Sequence, residues 1–205
     1  MKKNIFTFLL ASFLIAQGYS QSIADKSMTF FGVDFSKAKM IGGDGFKDPA
    51  DVKLKFTAWN GLFKSEADKY DLYKPFKKDK IDFDFTNVES RNQAVKTEGL
   101  ITNNDYSITP AQVESIVRSY DTKGKTGLGC VFVVESFDKS RVAGYIYVVL
   151  FDISSKKILV NKRMEEKPGG FGLKNYWAKA ILETIEDSQS QFPKWVKGKD
   201  TDNLK

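Results

Sequence analysis

The order of hydrophobic patterns along the chain predicts a mixed α/β (α+β) domain: about five strands in a mixed sheet ending in an antiparallel meander, with about three packed helices. Three observations carry this. CVFVVESF, at 130 to 137, is a nearly continuous apolar run with the composition of a strand covered on both faces. KIDFDFTNV, at 80 to 88, alternates apolar and polar residues, which is the period of a strand with one wet face. DPADV at 48 to 52 and TPAQV at 109 to 113 both place a capping side chain before a proline, as helix starts do.

Taken in order, the chain opens with Lys2, Lys3 and an apolar run from Ile5 to Ala16, followed by small and polar residues. That is the layout of a secretory signal peptide, and the run is shorter than the roughly 20 residues that span a bilayer. Gly18 and Ser20 suit a peptidase, so cleavage near Ser20 is expected. The expected organisation is a signal peptide at 1 to 20, a single domain at 21 to 192 and a polar tail at 193 to 205. The expected location is periplasmic or secreted, with no transmembrane segment in the mature chain. Lipid anchoring would need a cysteine just after the apolar run, and the single cysteine is Cys130.

TFFGVDF (29 to 35) reads as the first strand of the domain. Val52, Phe56, Trp59 and Phe63 then recur at helical spacing on one face. The pattern is lost between Thr86 and Thr109, although VESRNQAV has the look of a short helix. After TPAQ, Val113, Ile116, Val117 and Tyr120 form another apolar face. CVFVVESF, VAGYIYVVLFD (142 to 152) and ILVNKRM (158 to 164) follow as three strands joined by short polar turns. Trp177, Ala180, Ile181 and Ile185 mark the inner face of a last helix from Lys174 to Gln191, and Pro193 is expected to stop it.

Composition narrows the chemistry. There is no histidine, so a Ser-His-Asp or Cys-His arrangement and an imidazole base are excluded, as is the usual histidine and cysteine zinc site. Without Lys2 and Lys3, 30 basic residues face 26 acidic ones, a net charge of +4 that calls for no nucleic acid. An exported chain with one cysteine has no internal disulfide, and Cys130, inside an apolar run, reads as a buried hydrophobe.

Several groups of residues are candidates for function. The glycines of KPGGFGLK precede the last helix as a phosphate loop would. Pro168 and the glycines are also an ordinary turn signal, and Gly170, Phe171, Gly172 and Lys174 read as a contact surface, with Phe171 as its aromatic centre. Asp82 and Asp84 share a strand face with Glu89 nearby, an arrangement open to glycoside hydrolysis or carbohydrate binding. Asp44, Asp48 and Asp51 are a candidate set of hard-cation ligands, although their spacing matches no known calcium loop. GKT at 124 to 126 is not a P-loop, because Ser119 stands where that motif needs its first glycine and a strand follows. Tyr70, Tyr73, Phe76, Tyr106 and Trp195 fall outside the apolar stripes and offer satellite packing or surface rings. No cofactor is implied.

The buried strand GCVFVVESF, the segment YIYVVLFDISSKKILVNKRM, the glycine loop and the helix YWAKAILETI resemble the amino-terminal α/β domain of the TolB family. They also resemble the related domain of the curli-export lipoproteins. The likeness covers the last two-fifths of the chain and departs in lacking a lipidated cysteine and a propeller. It implies an assembly or scaffolding role without catalysis, and it carries over no specific residue. The sequence thus points to an exported envelope protein that binds another protein. The alternative is a carboxylate-based glycan binder or glycoside hydrolase.

Overall fold

The computed structural model describes residues 23 to 200, so the expected signal peptide lies outside the described residues. The strands are β1 (Ser27–Asp34), β2 (Lys39–Ile41), β3 (Lys80–Phe83), β4 (Ile101–Thr102), β5 (Leu128–Asp138), β6 (Ala143–Asp152) and β7 (Ile158–Glu166). The helices are α1 (Pro49–Ser65), α2 (Thr86–Gln93), α3 (Pro110–Arg118) and α4 (Gly172–Val196). All seven strands join one sheet, along which β3-β1-β5-β2-β4 run parallel. β6 pairs antiparallel with β5, and β7 with β6.

This corrects the expected fold class. Among the described residues the sheet has seven strands rather than about five, and four helices are packed with it rather than about three. It is organised by parallel strands and is an α/β fold, not one defined by an antiparallel meander. The extra strands are β2 and β4, three and two residues long and too short to show a period in sequence, and the extra helix is α2.

Those short strands exist because one edge of β5 is longer than β1. β1 runs beside Gly129 to Val133, leaves, and β2 resumes beside Ser136 to Asp138. The departure is built on Gly32, whose φ of +103° is open to glycine, and whose missing Cβ would lie 2.5 Å from Asn60 Oδ1. β3 covers β1 only as far as Phe30, so the next backbone groups have no strand on that side. Two buried asparagines replace it. Asn60 of α1 accepts from Val33 N at 2.8 Å and donates to Val33 O at 2.9 Å. Asn92 of α2 donates to Val33 O at 3.0 Å and accepts from Phe35 N at 2.7 Å.

α1 and α4 cover one face of the sheet with aromatic rings. Phe35 stacks on Phe56 at 4.3 Å, and Phe137 on Trp177 at 4.6 Å, between ring centroids. Phe31, Tyr120 and Phe151 pack together on the other face. β5 is buried along its whole length, as its apolar run requires, and Cys130 within it is fully buried, which pushes its thiol pKa up. Asp48 caps α1 through Ala50 N, and Thr109 with Gln112 forms a capping box on α3.

α4 does not stop at Pro193 but runs through it to Val196, so residues 193 to 196 belong to the helix and not to a tail. Phe192 and Trp195 hold it there, packing against Phe76 with centroids 5.7 and 6.5 Å away. Phe76, Tyr70 and Trp195 are thus core residues, while Tyr73 is exposed. Lys78 lies beneath this end of α4, its ammonium donating to the carbonyls of Ile23 and Asp25 and resting 5.0 Å from the Phe192 ring. Burial pushes its pKa down to about 8. The carbonyls and the ring favour its charged form at neutral pH.

Candidate functional site

Phe171 is 94% exposed, the most exposed of the large hydrophobic side chains among the described residues. Its loop is made to present it. Gly170 and Gly172 take φ of +102° and +78°, so the chain turns sharply on both sides of an extended Phe171. Gly169 N donates to Tyr176 O at 3.0 Å and closes the loop onto the first turns of α4. The ring is therefore held on a braced turn.

Beside it runs a groove of about 570 Å³ between the end of α1 and the start of α4, lined by Leu62, Tyr70, Phe171, Asn175 and Ala178, with Lys69 and Lys179 at its margin. Its walls are tied together: Trp59 Nε1 donates to Lys174 O at 2.9 Å, and Tyr70 OH to Ala178 O at 3.3 Å. Burial, with Glu66 nearby, raises the Tyr70 pKa to about 12, so the phenol remains a neutral donor at physiological pH. Lys174 is held by its backbone as part of this brace. Of the four residues expected from the sequence, Gly170 and Phe171 line the groove, whereas Gly172 and Lys174 do not.

Asp82 and Asp84 are brought together, but around a cation. The strand expected over 80 to 88 ends at Phe83 and gives way to α2 at Thr86, so only Asp82 is on it. Lys125, from the turn before β5, places Nζ 2.7 Å from Asp82 Oδ2 and 2.9 Å from Asp84 Oδ2. Burial opposes ionisation of Asp84, but hydrogen bonds from Lys125 and Thr86 prevail and lower its pKa. The hydrogen bonds to both aspartates raise that of Lys125. A glycosidase acid needs the opposite, a carboxyl with a raised pKa facing a free partner. Glu89 is exposed on α2 and takes no part in the cluster.

Asp44, Asp48 and Asp51 do not assemble into a cation site. Asp48 is committed to the cap of α1 and Asp51 pairs with Lys55 at 2.7 Å. Among the described residues no group of three or more potential ligands could hold a metal ion.

The polar features missed in sequence are buried acids at strand ends. Asp34, fully buried at the end of β1, takes Arg91 Nε and the Tyr120 hydroxyl at 2.9 Å each and Ser36 N at 2.8 Å. Burial, with Asp34 alongside, pushes the Tyr120 pKa well up. Glu135, extra in the β5 ladder at a bulge, is fully buried with Arg163 Nη2 2.6 Å away and Ile108 N at 3.0 Å. Asp138 receives Arg141. The available signal was an acid closing an apolar run, as in FFGVD and CVFVVESFD. Each such acid is neutralised by an arginine, an arrangement that holds loops to the sheet.

Glu166 differs, because it is buried at the end of β7 and forms no ion pair among the described residues. Burial, then Asp187, Glu183, Glu165 and Glu186, raises its pKa to about 8. A carboxyl raised in the folded state contributes stability below its unfolded pKa, near 4.5, and loses it as pH climbs through about 8. Glu166→Gln is accordingly expected to flatten the stability profile between about pH 5 and 8 and to add on the order of 1–2 kcal/mol above it. Urea melts across that range check this. An unchanged slope would place the titration elsewhere.

Among the described residues no helix is long and apolar enough to cross a membrane. Comparison with known proteins finds no family model, no curated protein and no solved structure that matches this chain.

Proposed function

We propose that this is an exported bacterial envelope protein that works by binding another protein, with Phe171 and the groove between α1 and α4 as its contact surface. The observation that carries the reading is the exposure of Phe171 on a braced loop beside apolar walls. Burying one such ring in a partner contributes roughly 1.5–3 kcal/mol, and exposed apolar surface beside a groove is where partners bind. The remaining charged candidates support a role without turnover, because Asp34, Asp82, Asp84, Glu135 and Asp138 all have basic partners. Export rests on the leader residues, and the expectation of an assembly role comes from the resemblance of the last two-fifths of the chain to envelope α/β domains.

The test is comparative capture from crosslinked envelopes by the native chain, by Phe171→Ala and by Leu54→Ala. Leu54 is the control because it is also exposed, at 70%, but sits on α1 outside the groove. Capture is expected to fall about tenfold or more for Phe171→Ala and to persist for Leu54→Ala. Equal capture by all three, together with glycan hydrolysis abolished by Asp82→Ala, would establish the carboxylate alternative instead.

A further inference from the structure

A second surface lies away from Phe171, at the carboxyl end of β1, where open α/β sheets leave room for ligands. Here the connection Ser36 to Lys39 passes between the segment after α2 and the region around Tyr106, and a cleft of about 370 Å³ opens. Its charged lining is three lysines, Lys37, Lys39 and Lys96, against one carboxylate, Glu98.

The cleft is positioned by the fold. Tyr106 OH donates to Lys37 O at 2.7 Å, which fixes the connection, and Lys39 Nζ is held by the Gly99 carbonyl and lies 6.0 Å from the Tyr106 ring. Neither Lys37 nor Lys96 forms an ion pair among the described residues, whereas Lys55, Lys125 and Lys179 all do. The neighbouring arginine is not available, since Arg91 spends its donors on Asp34, Ser36 and Ser119.

We propose that this cleft binds a small phosphate-bearing anion, drawn by the lysines that line it, Lys37, Lys39 and Lys96, beside Tyr106. The chemistry favours phosphate over a carboxylate. Lysines are point charges that suit a multiply charged tetrahedral group, whereas planar carboxylates are best matched by the fork of a free arginine, which the cleft lacks. Its volume suits one small ligand rather than a polymer.

Isothermal titration of the folded chain with pyrophosphate at low ionic strength tests this, with acetate as the carboxylate probe. Saturable pyrophosphate binding is expected, with acetate much weaker, and Lys37→Gln/Lys96→Gln should weaken it about tenfold or more. Both lysines are at the surface, and Lys53→Gln/Lys74→Gln, which removes the same charge elsewhere, should bind as the native chain does. Equal losses in the two double variants, or no saturable binding, would overturn the proposal. Sedimentation with vesicles containing phosphatidic acid separates the sources of phosphate. Lysine-dependent binding to vesicles without binding of pyrophosphate would assign the amines to a lipid surface and overturn the small-ligand site. Phe171→Ala should leave pyrophosphate binding unchanged, so this result and the protein-binding result are read separately.

Discussion

Arg91→Ala is expected to lower the unfolding free energy by about 3 kcal/mol, because it strands a buried carboxylate. Asp34 is fully buried, and Arg91 is its cationic partner, 2.9 Å away. The same guanidinium binds Ser36 Oγ and Ser119 Oγ at 2.7 Å each, so its loss also frees the start of the β1–β2 connection and the end of α3. Tyr120 and Ser36 N still hydrogen-bond the carboxylate, which keeps the loss at the lower end for a broken buried pair. A double-mutant cycle isolates the charge: Asp34→Asn in the Arg91→Ala background should recover part of the loss, since no buried charge is then left unpaired. Urea denaturation of the four proteins measures it, and simple additivity would show that the pair is not coupled.

Asn60→Leu is the other large effect, about 2–3 kcal/mol from a substitution that hardly changes volume. The buried amide stands in for the strand that β1 lacks beyond Phe30, and without it the Val33 N–H loses its acceptor. Val33 O keeps Asn92, so the donor side of Asn60 is the cheaper loss. Gly32 packs directly on this amide, and leucine branches there would press on the turn. Chemical denaturation should show the fall in midpoint, and a stability equal to the native chain would mean that water satisfies Val33.

α1, α3, most of α4, the long strands and their burial were legible because each had a local cause, whereas α2 fell where the pattern is lost. Asp48-Pro49 and Thr109-Pro110 cap the helices they were expected to cap. The run at 130 to 137 is a strand buried throughout. What was not legible depends on contacts between distant residues. β2 and β4 are strands only because β5 continues past the end of β1, and nothing within KMI or IT indicates that. Their addition makes the sheet predominantly parallel and overturned the expected meander-based, five-strand class. The continuation of α4 through Pro193 was hidden for the same reason: the proline is local, while Phe76, which holds Phe192 and Trp195, is more than a hundred residues away in sequence.

The candidate sites divide in the same way. The glycines around Phe171 gave away a turn and an exposed ring, but Leu62 and Tyr70, which make the ring part of a groove, come from another helix end. Asp82 lies on β3 but Asp84 lies just past its end at Phe83, and the lysine that holds both arrives from the turn before β5. Local pattern could place the carboxylates but not their neutralising partner.

The central claim is that Phe171 touches a protein partner. A photo-crosslinking phenylalanine analogue at position 171, activated in intact cells, reads that contact at the residue itself. The proposed function predicts a discrete protein adduct at 171 that is absent when the same group is placed at Leu54. No adduct at 171, or the same adducts at both positions, would contradict it.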